Sequence, residues 1–309
     1  MNKFNLDYID SMRGIAILMV LAVHFTTFLA MFAIEHLPFN IENILYSGKF
    51  GVALFFIVSA YTLFRSLDVR HEDGYKNYFI RRFFRIAPLY YMVIIFLFIA
   101  TDGQKYYLED TENGVSFLNL LTHLFFINGF FTNYFNSIIG VEWTIFVEVS
   151  FYLILPALFV FRNKLLKIAI LFLVVALTTY LMSKFIFLIE IERIQIFFSP
   201  LVWFVVFAYG AVLYQYQNNS RLKFLFTSFK NSILVCILIL FILFSYFHIP
   251  GSALVFSFLL GLFFLLNKYN SFVLFNNKIL KKIGELSFSI YLIHMPIIGY
   301  INNNLRGGN

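Results

Sequence analysis

The chain has 309 residues, 61% of them hydrophobic and 13% charged, with a mean hydropathy of +0.83. A soluble domain averages nearer 45–50% apolar and about 25% charged, which excludes an ordinary water-soluble fold. The net charge of +7 sits in short segments between apolar blocks, an orientation signal rather than a nucleic-acid surface, and the single cysteine, Cys236, excludes a disulfide framework or a cysteine metal site.

In chain order, blocks of roughly 18–22 apolar residues, the length that crosses ~30 Å of hydrocarbon, predict spans over 13–34, 50–67, 84–100, 141–161, 165–187, 195–216, 231–248, 251–266 and 286–300. The first is expected to stay in the protein: its apolar run is too long for a signal peptide and no A-x-A cleavage pattern follows. A further apolar stretch, 115–131 ("VSFLNLLTHLFFINGFF"), reads as re-entrant or interfacial. The charges decide this. With the N-terminus cytoplasmic and 115–131 not crossing, 18 of the 23 Lys+Arg fall on the inner side. The longest outer loop is then acidic, with Asp102, Glu109, Asp110 and Glu112. The expected fold is all-α: a polytopic transmembrane bundle of nine to ten spans, one domain over 1–309, multi-pass in the cytoplasmic (inner) membrane. No linker, repeat or soluble domain interrupts it.

An ionisable side chain inside a span is costly and marks a site by default. Arg13 stands at the inner end of the first span, where its head snorkels to the interface. His24 is eleven residues on, ~16 Å along the helix axis. Glu148, in "VEWTIFVEVSFYLILP", lies ~10 Å below the outer surface of a span running outside to inside. A histidine with a buried carboxylate at similar depth can serve as a base of fixed tautomer; a backbone-bonded His and a protonated, structural Glu are the bland readings. "YKNYFIRRFFRIAPLYY" sets Arg81, Arg82 and Arg85 at the cytoplasmic mouth of the third span. Guanidinium forks there suit phosphate oxygens, although basic residues at an inner boundary are also the default. No Gly-rich phosphate loop or metal-ligand cluster accompanies them. "GELSFSIYLIHMPII" places Ser287, Ser289, Tyr291 and His294 in the last span. His36, His71, His123 and His248 sit in loops or near ends and call for no special role.

Taken together, five stretches in order resemble the acyltransferase-3 family, integral membrane proteins that O-acylate surface glycans. "RGIAILMVLAVHF" is similar to the family's basic residue, ten-residue gap and histidine in the first span, here Arg13 and His24. "FFIVSAYTLF" is similar to the second-span signature around Ser59, with Ala60 where glycine is usual. "RRFFRIAPLYY" matches the arginine-rich mouth of the third span, and "EWTIFVEVSFYLILP" the pattern carried here by Trp143, Thr144, Glu148, Phe151, Tyr152 and Pro156. "SFSIYLIHMPI" matches the closing motif with Tyr291 and His294. The family continues beyond that motif with more helical sequence, so the C-terminal end is expected to be short by one helix.

The resemblance implies acyl transfer from cytoplasmic acyl-CoA, or a comparable donor, to a hydroxyl of a carbohydrate, free or lipid-linked, at the outer face. Acetyl is the first expectation. Acyl-CoA is then a co-substrate, with no bound cofactor, no metal and no nucleic acid involved. His24 and Glu148 take the catalytic roles, as general base and its orienting or charge-balancing partner. Arg82 and Arg85, with Arg13, hold the donor's phosphates. The alternative is a transporter or flippase for a lipid-linked glycan or acyl compound, with His24 and Glu148 as a proton relay. That class is expected to show paired repeats with interrupted helices, and none is visible.

Overall fold

The structure is a computed structural model that describes residues 7–31, 39–70, 74–100, 115–185, 198–247, 252–270 and 272–306. Among these residues the regular structure is helical throughout, without a strand. In chain order the helices are α1 (Asp7–Met31), α2 (Phe39–Tyr46), α3 (Gly51–Val69), α4 (Gly74–Ala100), α5 (Phe117–Leu124), α6 (Glu142–Val160), α7 (Leu165–Phe185), α8 (Pro200–Tyr216), α9 (Ser220–Ser228), α10 (Lys230–Phe247), α11 (Ser252–Asn270), α12 (Lys278–Glu285) and α13 (Ser287–Arg306).

Five helical stretches are long and apolar enough to cross a bilayer: Ile41–Val69, Gly74–Ala100, Glu142–Val160, Arg162–Met182 and Ala253–Asn270. The bent pair Ser220–Ser228 and Lys230–Tyr246 adds a sixth when the two are taken together as one stretch. The expected nine to ten is therefore met only in part. Within the described residues α8 and α13 are apolar but short, and the side chains of the outer part of the first predicted span, like residues 186–197 before the sixth, lie outside them. The stretch 115–131 holds only the eight-residue α5 and a 3₁₀ turn, Asn128–Phe130. Eight residues rise ~12 Å, so no single helix there could span. Outward-facing Leu166, Ile170, Leu171, Val174, Leu177 and Leu181 on α7 need hydrocarbon around them.

The chain divides into two compact units. The first comprises Met1–Thr62, Tyr209–Tyr291 and Tyr300–Asn309. Here α12 lies against the beginning of α1 so closely that a side chain on Gly14 would meet the Leu280 carbonyl, and one on Gly284 the Asp10 carbonyl. Small residues at such crossings let backbones touch, which is how membrane helices gain packing energy without a hydrophobic drive. Lys281 Nζ donates to Asp7 Oδ1 at 2.6 Å beside this contact. That hydrogen bond holds the Lys281 ammonium above the ordinary lysine range, so the contact persists below the unfolded lysine value and is lost as pH climbs through the raised one. Gly284→Val should push α12 off α1 at a cost of about 1–3 kcal/mol; thermal unfolding in detergent checks it, and an unchanged midpoint would refute the close packing. Elsewhere in the unit Phe50 stacks on Phe256 at 4.2 Å, and Ser47 Oγ donates to Ser245 Oγ at 2.8 Å.

The second unit comprises Leu63–Ala208 and Leu292–Gly299. Its core is aromatic: Phe151 stacks on Phe207 at 4.1 Å, and Trp143 lies 5.4 Å from Trp203. The residues that close α5, 124–126, lie against α4. Phe126, held at φ +56°, stacks on Tyr90 and Tyr91, and Tyr91 Oη donates to the Leu124 carbonyl at 2.5 Å.

Candidate active site

In the second unit, α4 and α6 each present one polar stripe. On α6, Glu148 and Tyr152 are four residues apart, one turn above the other, and Tyr152 Oη donates to Glu148 Oε1 at 2.5 Å. On α4, Tyr78 and Arg82 have the same spacing, with Arg85 a turn further. Tyr78 Oη donates to the Tyr152 carbonyl at 3.2 Å and joins the helices. The Arg82 guanidinium carbon lies 5.9 Å from the ring centroid of Tyr78 and 5.9 Å from that of Tyr152. Its Nε is buried and has no hydrogen-bond partner among the described residues. Arg85 is exposed, and its charge, with those of Arg82 and Glu148, bears on the Tyr152 hydroxyl. A carboxylate and two guanidiniums thus act on one buried phenol. The rings form an apolar wall that holds the Arg82 fork in place by cation–π attraction, and that leaves donors for an anionic ligand.

The head of α6 is fixed by a carboxylate whose part the sequence reading missed. Glu142 is fully buried. It accepts the backbone N–H groups of Ile138 at 2.7 Å, Ile139, and Gly140 at 2.7 Å. The loop curls into an anion-binding nest around the first side chain of the helix, where the macrodipole also favours negative charge. Gly140, at φ +97°, supplies the left-handed residue this turn needs. His123, also fully buried, faces the same carboxylate, with Nε2 3.6 Å from Oε1. Its Nδ1 is 2.9 Å from the Asn119 carbonyl, which can only accept, so Nδ1 carries the hydrogen. The signals available in the sequence were a glycine two residues before Glu142 and Tyr78 four before Arg82; neither is specific without the fold.

In the first unit, Arg13 Nη1 is paired with Asp10 Oδ1 at 3.0 Å. α1 is continuous from Asp7 to Met31, and eleven residues make almost three whole turns at 3.6 residues per turn. Arg13 and His24 therefore share one stripe of α1, and His24 is half-buried there. Ser59 is buried in α3, where its carbonyl accepts from Thr62 Oγ1 at 2.9 Å. Tyr291 is buried with an edge contact to Phe55 at 6.2 Å. A second network of the unit went unnoticed in the sequence. Tyr8 Oη donates to Tyr61 Oη at 3.1 Å, Tyr61 Oη to Gln217 Oε1 at 2.5 Å, and Lys268 Nζ to the same oxygen at 3.0 Å. In the second unit, His294 is buried, and Trp143 packs on Phe198 at 4.7 Å while its backbone N–H donates to Asn136 Oδ1 at 3.2 Å. His24 and Glu148 belong to different units; within its own, Glu148 is bonded to Tyr152. Among the described residues no three His, Cys, Asp or Glu side chains gather as a metal site would require.

The acyltransferase-3 family model, described as an acyltransferase domain, matches residues 6–309. The chain belongs to the acyltransferase-3 family. With its apolar helices, this makes it a multi-pass membrane acyltransferase. Among curated relatives, a "Putative acetyltransferase" of the Acidianus two-tailed virus is 28% identical over 302 residues, which cover 93% of this chain and 82% of that protein. A "Putative O-acetyltransferase" of Staphylococcus aureus (strain COL) is 22% identical over 329 residues, 96% of this chain and 51% of that protein; that of strain MSSA476 matches equally. This acyltransferase spans about half the length of the staphylococcal relatives. No solved structure matches it.

Proposed function

We propose that this acyltransferase moves an acyl group, acetyl first among candidates, from cytoplasmic acyl-CoA to a hydroxyl of a surface or lipid-linked carbohydrate. Family membership supports the reaction class, and the relatives named for acetyl and O-acetyl transfer support the group and the oxygen acceptor. The observation that carries the donor assignment is the Arg82 guanidinium, held against two tyrosine rings with an unpaired buried Nε and Arg85 one turn away. Fixed guanidinium donors recognise phosphate, and acyl-CoA is the phosphate-bearing acyl donor. Arg13, on the stripe that leads to His24, is the third cation of this reading.

In the reaction, the His24 imidazole accepts the proton of the acceptor hydroxyl as its oxygen attacks the thioester carbonyl. The C–O bond forms, the C–S bond breaks, and the coenzyme A thiolate leaves and takes up the proton. Glu148 balances the charge that develops on the histidine. The same reading has the N-terminus in the cytoplasm and the protein in the cytoplasmic (inner) membrane. It counts nine spans, adding α1, α8 and α13 to the six helical stretches that pass by length and composition. Mass spectrometry of surface glycan from cells with and without the protein tests the function: an increment of one acyl group on a sugar is expected, and identical spectra would reject it.

The donor site makes its own prediction. Arg82→Ala, and to a lesser degree Arg85→Ala, should raise KM for acyl-CoA about 10- to 100-fold, the loss of one charge-assisted contact, with little change in KM for the acceptor. The reverse pattern would remove the assignment.

A further inference from the structure

We propose that α9 and the segment from Phe272 to Leu286 form a collar that binds the anionic headgroups of the bilayer leaflet at that end of the first unit. The inference is independent of the acyl-transfer chemistry. α10 has 18 residues and rises ~27 Å, close to the hydrocarbon thickness. α9 departs from it at an angle of 80°. A helix that turns so sharply at the end of a span runs along the membrane surface.

The side chains of α9 fit that position. Arg221 and Lys223 are exposed, and so are Phe224, Leu225 and, at the corner, Phe229. Phe226 instead turns inward beside Tyr269, 6.0 Å between centroids, and its carbonyl accepts from Asn270 Nδ2 at 2.9 Å. α9 is thereby tied to the last turn of α11. The chain leaves α11 at that same end and runs into the most exposed apolar residues of this part of the protein, Val273 at 84%, Leu274 at 72% and Ile279 at 73%. α12 is clamped on its other side to α1 by Gly284, Gly14 and the Lys281–Asp7 contact. That leaves Lys278, Ile279 and Lys282 outward, with the acidic Glu285 3.1 Å from Lys282.

Apolar side chains alternating with cations, at the depth where spans end, match the headgroup region, where acyl chains take the former and phosphates the latter. Lys268 does not belong to the collar: its ammonium is turned inward onto the Gln217 carbonyl and amide oxygens at 3.1 and 3.0 Å. A protein partner would leave the clustering of both elements at one end of α10 and α11 without a cause; the bilayer surface explains it.

The test uses the full chain with Cys236→Ala and a new thiol, Leu274→Cys or Phe224→Cys, labelled with an environment-sensitive fluorophore. It is reconstituted in phosphatidylcholine vesicles with and without phosphatidylglycerol. Both labels should lose most of their quenching by acrylamide and gain quenching by a nitroxide placed near the lipid headgroup, more so with phosphatidylglycerol. Arg221→Gln, Lys223→Gln, Lys278→Gln and Lys282→Gln together should abolish the difference between the two vesicle types. Labels equally open to acrylamide in both, or a quadruple variant that alters only KM for acyl-CoA, would overturn the proposal.

Discussion

Alanine at position 24 should lower the turnover of acyl transfer by about 10²- to 10⁴-fold, the usual contribution of a positioned general base, while the protein still inserts at its normal level. In the proposed mechanism His24 is the group that accepts the acceptor's proton. A neutral imidazole has a ring nitrogen free to take up a proton. The assay is acyl transfer to glycan by matched amounts of membrane-inserted protein, with donor and acceptor each varied. Because the loss is one of chemistry, kcat should fall and KM for acyl-CoA should stay within a few-fold. Retained turnover would remove His24 from the base role, and a change confined to KM would make it a binding residue. The Glu148→Gln variant supplies the companion measurement. The amide keeps the shape and can still accept from Tyr152, so its effect isolates the negative charge. A fall in kcat there supports charge balance of the base, whereas a rise in KM for acyl-CoA alone would place Glu148 with the arginines instead.

The second large effect concerns stability. Glu142→Ala should destabilise the protein by about 3–5 kcal/mol, because three backbone donors lose their carboxylate acceptor at once. The carboxylate receives three backbone N–H groups, and alanine leaves all three without that acceptor. Each orphaned donor costs about 1–3 kcal/mol before the loop relaxes. The measurement is thermal unfolding in detergent, where the midpoint should fall by roughly 10 °C for a chain of this size. Glu142→Gln keeps one carbonyl oxygen for the nest and should fall between the two. A midpoint within about 2 °C of the wild type for Glu142→Ala would show that the nest holds without its anion.

The class of molecule was legible because hydropathy blocks and charge placement act over whole segments. The sequence positions of Arg13, His24, Arg82, Arg85 and Glu148 likewise stood out, since an ionisable letter within or beside an apolar run is conspicuous. The grouping of Arg82 with Tyr78 and Tyr152 was not, because tyrosine among 44 Phe and 19 Tyr carries no signal of its own. Nor was the role of His123. A histidine in a short apolar stretch looks idle until the loop folds back and sets it against Glu142.

By itself the chain of letters determined that this is an all-helical membrane protein of the acyltransferase-3 kind, because long apolar segments have one stable solution in lipid and five ordered motifs mark the family. Only the tertiary structure decided that Tyr152 is the group to which Glu148 is bonded, that Arg82 is braced by aromatic rings, that Glu142 is the anchor of α6, and that α9 turns sharply away from α10. Each of these depends on which helix faces touch, or on the angle of one turn. In helices apolar on every side, no pattern in the sequence singles out the face that meets a neighbour.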